Sequence, residues 1–247
     1  MLSDLWWMGK EEVKRFHFLR ITRHEPEDIR CHPSDSAFLE TAGDVVEISE
    51  VEEYYKNRGR VNIHRSMTVP CCQQSGAEGI SGPQLLDIDL HDPEANELSD
   101  LREALVVCRH IVQPTLLETL GFGHDEVRVF FSGKGFHVEV IPSAVARLLK
   151  LPQPLKLTEL KEQQHKFRDR VLCMLECAGW RREGNIVEGT WGRVVLDKMH
   201  CYLRLHGSVN RWYVAGSRVS RRTIPVSITE LQTVSVEAIL QGSLVLD

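Results

Sequence analysis

Two aspartates stand at i and i+2 inside an apolar run, Leu85-Leu86-Asp87-Ile88-Asp89-Leu90. Alternate residues of a strand share a face. Both carboxylates therefore project side by side, while Leu86, Ile88 and Leu90 anchor the opposite face. An ordinary aspartate, with a pKa of about 3.9, is charged at neutral pH, so the pair repels. A divalent cation removes the conflict, and Mg²⁺ takes one or two carboxylates together with substrate phosphates. The alternative is an exposed strand end with two solvated aspartates. Asp92, two residues beyond the run, reads as a turn residue.

A second group is Ser132-Gly133-Lys134-Gly135-Phe136-His137, a glycine-containing turn between two β runs. Glycines let the backbone approach a ligand closely. Backbone N–H groups, the Ser132 hydroxyl and the Lys134 ammonium make a cradle for phosphate oxygens. The spacing is not that of a P-loop. An ordinary hairpin turn with a core histidine at His137 is the plainer alternative. A third group follows: Asp197 ends the run Val194-Val195-Leu196, and Arg204 and His206 alternate with apolar residues before a turn at Gly207-Ser208. A third carboxylate with a nearby arginine suits a metal–triphosphate site.

The elements that must hold these groups are legible in the hydrophobic pattern. Residues 85–90 read as a strand. Leu98, Leu101, Leu105, Cys108 and Val112 fall at helical spacing, and Pro114 is expected to kink or divide that helix before Gly121 and Gly123 stop it. Residues 126–131 and 136–142 form a hairpin, and 142–150 a short helix with proline near its start. Residues 157–179 form a long helix with a stripe of Leu160, Phe167, Val171, Leu175 and Ala178. Strands follow at 193–197, 201–207 and 209–216. Before residue 80 the pattern is weaker: strand-like alternation at 13–21 and 60–69, a short helix at 46–57, and a Gly/Ser/Pro loop at 73–83. From Leu85 the order is β-α-β-β-α-α-β, an α+β layout with helices packed on an antiparallel or mixed sheet.

The chain has 247 residues, 42% of them apolar, enough for one compact domain. It contains no apolar run long enough to span a membrane, and its first residues do not read as a secretory signal. Seven cysteines without disulfide-like spacing suit a reducing, cytoplasmic setting. Net charge is −5, unevenly spread: six acids and no Lys or Arg from Glu40 to Glu53, seven basic residues and one acid from Arg193 to Pro225. Such a local basic segment attracts phosphates despite an acidic total; a solvated, charge-mixed face is the other reading. Trp212 and Tyr213 are able to stack on a base or to pack into the core.

Asp87-Ile88-Asp89, the run Ser132 to His137, Asp197, and Arg204 to Ser208, in that order, resemble the archaeo-eukaryotic primase superfamily, which includes primase small subunits and the polymerase domains of end-joining ligases. The resemblance covers residues 85–226. It implies a primase-polymerase core over 81–226 with an RRM-like sheet flanked by helices, a variable N-terminal αβ unit over 1–80 and a C-terminal helical tail over 227–247. It implies nucleotidyl transfer, with Asp87, Asp89 and Asp197 holding two Mg²⁺ or Mn²⁺ ions. Ser132, Gly133, Lys134, His137, Arg204 and Ser208 would bind the nucleotide, and Arg211, Arg218, Arg221 and Arg222 a single-stranded DNA template. NTPs or dNTPs would be substrates, a primase large subunit or a helicase a partner, and the nucleoid the place of action. The chain departs from the family at His206, where proline is common, and at Asn210, where histidine is common; Arg211 is the nearest cation to a frequent lysine. No zinc site is expected, because no C-x-x-C occurs, and Cys31, His32, Cys71 and Cys72 read as ordinary side chains. Two further readings stay open: a gap-filling or end-joining repair polymerase, and a non-catalytic nucleic-acid-binding module.

Overall fold

The computed structural model describes residues 18–23, 44–47, 63–66, 69–72, 78–81, 83–90, 97–151, 157–184, 186–189, 192–196, 202–204, 209–214 and 217–244. The early strands are β1 (Phe18–Arg23), β2 (Asp44–Glu47), β3 (Ile63–Ser66), β4 (Val69–Cys72) and β5 (Glu78–Ser81). Then come β6 (Gln84–Leu90), helix α1 (Glu97–His110) with a π-helical continuation (Ile111–Thr119), β7 (Val127–Phe131) and β8 (Phe136–Val140). Helices α2 (Pro142–Leu149) and α3 (Leu157–Cys177) precede β9 (Arg181–Glu183), β10 (Ile186–Gly189) and β11 (Gly192–Leu196). The chain continues through β12 (Tyr202–Arg204), β13 (Val209–Val214), β14 (Ser217–Arg222), β15 (Ile224–Val226), α4 (Ile228–Leu231) and α5 (Val236–Ser243).

The central sheet has seven strands in the order β15-β7-β8-β6-β11-β10-β9. Every pairing in it is antiparallel. Strands β6 and β7 therefore run the same way with β8 between them, the split β-α-β arrangement. A second sheet orders β12-β3-β1-β2, and β4–β5 and β13–β14 form separate hairpins. The class is α+β, as expected, and of the two expected sheet types the antiparallel one is found.

Alternation along the strands sorts the sheet into two faces. Leu86, Ile88, Val127, Val129, Phe131, Phe136, Val138, Val140 and Val187 join one core with Leu101, Leu105, Cys108, Val112, Phe167, Val171 and Leu175 from α1, its continuation and α3. Of the expected helix stripes, Leu101, Leu105, Cys108, Val112, Phe167, Val171 and Leu175 are buried, Leu98 is partly buried against them, and the side chain of Leu160 lies outside the described residues; one position departs. Ala178 is exposed, because α3 ends at Cys177 and Ala178 already belongs to the turn that follows, its N–H donating to Met174 and Leu175 carbonyls.

Pro114 does not divide its helix. In an α-helix its missing N–H would orphan the carbonyl of His110. Here the helix widens to π geometry through Pro114, and the Thr115 hydroxyl donates to that carbonyl at 3.2 Å. The helix absorbs the proline by changing register rather than breaking. Three further corrections concern strands. Residues 60–69 contain parts of two strands, not one. The stretch at 73–83, expected as a loop, contains β5, paired with β4. The short hairpin β9–β10 lies between α3 and β11, where no strand was expected, because its charged sequence masks the period-2 signal. At 46–57, Val46 and Glu47 belong to β2; the expected helix over the rest lies outside the described residues.

The C-terminal tail is helical, as expected, and is tied to α1. Arg109 donates to the carbonyls of Leu231 and Val234, and Arg102 pairs with Glu237. Ser227 and Glu230 form a capping box that starts α4. No helix among the described residues is long and apolar enough to cross a membrane.

Two measurable consequences follow. Glu126 accepts both Arg147 guanidinium nitrogens, at 2.8 and 2.7 Å, and the Gly123 N–H at 2.9 Å. The Arg147 hydrogen bonds hold its carboxyl below the usual glutamate range. A carboxylate whose folded pKa is depressed stabilises the fold above its unfolded pKa, and the gain is lost as pH falls through the folded value. Arg147→Ala should therefore cost at most about 1 kcal/mol at neutral pH, since Arg147 is exposed, and the deficit should vanish in acid; urea titrations at several pH values read both. The second concerns thiols. Burial pushes the Cys108 thiol far above its ordinary range, whereas Cys173 and Cys177 are exposed. Peptide-mapped alkylation of the native protein should label Cys173 and Cys177 and spare Cys108 until the chain is denatured.

Candidate active site

Strand β6 divides core from chemistry. Leu86 and Ile88 are sealed into the core, and Asp87 points to the other face, 7% exposed. An exposed strand end does not describe it. The register sets Asp87 directly opposite His137 of β8, and His137 opposite Phe130 of β7. His137 Nε2 lies 3.3 Å from Asp87 Oδ1, with both side chains largely buried. A cross-strand pair of this kind fixes the orientation of both groups. Asp89 sits two residues further along β6, opposite Val195 of β11; its side chain lies outside the described residues. Asp197 follows Leu196, which pairs with Ile88, but lies outside them too.

Glu139 was not foreseen. It is two residues beyond His137 on the same face, opposite Leu85 and Arg128, and only 1% exposed. The alternation in Phe136-His137-Val138-Glu139-Val140 carried the signal, since it places His137 and Glu139 together.

The Ser132–Gly135 turn links β7 to β8 and so stands two residues from His137. Ser132 N–H donates to the Gly135 carbonyl at 2.9 Å. In the reverse direction the Gly135 N–H donates to the Ser132 hydroxyl, at 3.2 Å, rather than to its carbonyl. The hydroxyl also faces the Gly135 carbonyl at 3.3 Å and is buried. The Ser132 hydroxyl thus shapes the turn that was expected to cradle phosphate oxygens. Its carbonyl, released, accepts Asn210 Nδ2 at 3.1 Å, and the Gly133 carbonyl accepts Arg221 Nη1 at 3.0 Å. Gly133 has φ +101°, and a Cβ there would stand 3.2 Å from that of Asn210. Glycine is required on both counts. Lys134 is exposed at the tip.

Of the residues read as template contacts, Arg221 is partly buried and bonded to the turn, and Arg222 is exposed. Arg211 and Arg218 occupy β13 and β14, opposite Ser220 and Tyr213; their side chains lie outside the described residues. Arg204 is in β12, opposite His64, in the four-stranded sheet rather than the central one. Ser208, the aromatic side chains of Trp212 and Tyr213, and the candidate zinc residues Cys31 and His32 lie outside the described residues. Cys71 and Cys72 lie in β4, their side chains outside them. The structure therefore brings together Asp87, His137, the 132–135 turn, Asn210 and Arg221.

The donor chemistry suits a hard divalent cation: Asp87 and Asp89 supply carboxylate oxygens on adjacent alternate positions of one strand. Among the described residues no group of three or more His, Cys, Asp or Glu side chains is placed to hold a metal ion. The chain matches no known family model and no curated protein.

Proposed function

We propose that this chain is a DNA-templated nucleotidyltransferase that makes short RNA or DNA primers. The observation that carries the reading is the buried Asp87–His137 pair, two residues from a glycine turn whose carbonyls are tied back. Asp87, Asp89 and Asp197 would hold two Mg²⁺ or Mn²⁺ ions, which when bound activate the attacking 3′-hydroxyl and stabilise the leaving pyrophosphate. The protein's own part is positioning and electrostatics. His137 holds the Asp87 carboxylate in one orientation. The turn and Lys134 offer N–H groups and a positive charge to the triphosphate. Arg204, from β12 in the four-stranded sheet, and Ser208 would complete that grip. Arg211, Arg218 and Arg222 would take template phosphates without reading sequence, whereas Arg221 spends one guanidinium nitrogen on the turn. The β6–β7–β8–β11 connectivity is compatible with a primase-polymerase core and its RRM-like sheet. A single-stranded DNA template places the work at the nucleoid, with a primase large subunit or a helicase as the natural partner.

The test is oligonucleotide synthesis on single-stranded DNA with NTP or dNTP and Mg²⁺ or Mn²⁺, without a primer. Labelled product from the purified chain supports the reading. Extension confined to a supplied primer transfers it to gap filling or end joining. Template binding with no incorporation under any of these conditions overturns it in favour of a non-catalytic binding module.

A further inference from the structure

We propose that Asn210 is a positioning residue, one that sets the 132–135 turn for a triphosphate without touching the ligand itself. The inference rests on the nucleotidyl-transfer reading for its ligand, but its geometry stands apart from Asp87. Asn210 is buried on β13 and donates Nδ2 to the Ser132 carbonyl, across 78 residues of chain. Only the amide nitrogen can donate to a carbonyl, which fixes the orientation of the side chain. Arg221, on the paired strand β14, secures the next carbonyl, that of Gly133.

In a trans peptide the C=O and N–H point to opposite sides. Tying the Ser132 and Gly133 carbonyls to the β13–β14 hairpin therefore turns the N–H groups of Gly133 and Lys134 away from it. Two successive N–H groups on one side of a turn form a concavity for an anion. The hydroxyl of Ser132 makes this possible, because it takes the Gly135 N–H that the Ser132 carbonyl would hold in a simple hairpin. Without Asn210 that carbonyl is free to rotate back to the Gly135 N–H, and the peptide that carries the Gly133 N–H rotates with it. A buried hydrogen bond of this type is worth up to about a factor of ten in the equilibrium it biases.

The experiment compares the full chain with Asn210→Asp, which keeps the shape and loses the donor, and with Asn210→Ala, which loses the donor without adding charge. Two readouts are taken. The first is KM and kcat for NTP in primer synthesis: roughly a tenfold rise in KM with kcat within about twofold is expected for both variants. The second is the ¹H–¹⁵N shift of the Gly133 and Lys134 amides on titration with inorganic tripolyphosphate, without metal or template. The wild-type amides should move, and those of the variants should move much less at equal tripolyphosphate. If the wild type makes no product but its amides respond and the variants' do not, the enzymatic reading fails and this inference stands. If the wild type makes product, an unchanged KM and equal amide shifts in folded variants overturn the inference alone. An absence of any shift in the wild type overturns it as well. Should Asn210→Asp not fold, Asn210→Ala carries both readouts.

Discussion

Asp87→Asn should abolish primer synthesis while leaving the fold in place. The substitution preserves size and planarity and removes the negative charge. The loss expected is on the order of 10²–10³-fold or more, since the proposed metal-holding carboxylate loses its charge in a water-poor setting. Asp87 is only 7% exposed and its neighbour His137 Nε2 is 3.3 Å away. Replacing a buried polar partner by a shorter side chain strands the other group, so alanine confuses stability with chemistry and asparagine is the cleaner probe. The checks are product yield per enzyme at saturating Mn²⁺ and NTP, beside a thermal melt. Equal product from the variant would end the assignment of Asp87 to the reaction. A melt shifted far down, with activity lost only in proportion to unfolded protein, would reduce Asp87 to a structural partner of His137.

Ile88→Ala, one residue along, should do the reverse. Ile88 is fully buried among the core side chains. Truncating a buried isoleucine to alanine typically costs about 2–5 kcal/mol, from lost transfer energy and the cavity left behind. For a chain of this length that is on the order of 5–15 °C in the melting temperature. The strand itself is held by backbone pairing to β8 on one side and β11 on the other, so the position of Asp87 should survive. Well below its transition, Ile88→Ala should keep most of its activity per folded molecule. Loss of activity comparable to Asp87→Asn, with an unchanged melt, would show that the two faces of β6 are not divided as described.

The contrast between these neighbours was legible before any coordinates, because period-2 alternation with two charges on one side is a strong local signal. So was the hairpin that brings His137 beside it, since Ser132-Gly133-Lys134-Gly135 is turn chemistry between two β runs. What stayed hidden was long-range. That Asp87 faces His137, not merely the same sheet, depends on register, which single-strand patterns do not fix. Asn210 stands out in the sequence only as a departure from the primase pattern, and Arg221 only as a member of a basic segment; their bonds to two carbonyls near residue 132 belong to tertiary packing. Glu139 is readable by alternation as sharing a face with His137, but its burial depends on the neighbouring strands β6 and β7. Pro114 does not divide its helix because the backbone changes to π geometry there, with the Thr115 hydroxyl on the His110 carbonyl, and a tertiary choice of register of this kind is not written in the local pattern.

Strand β6 pairs with β8, laid down about 50 residues later, and with β11, laid down about 100 residues later. A nascent chain therefore carries Asp87 out of the ribosome long before either neighbour exists. Until residue 196 has emerged, one edge of β6 stays bare and open to strands from other chains. Folding dominated by such distant pairings is slow. Emergence of β11, rather than the synthesis of β6 itself, is thus the step at which β6 gains both neighbours, and chains truncated between β8 and β11 should aggregate instead of retaining partial function.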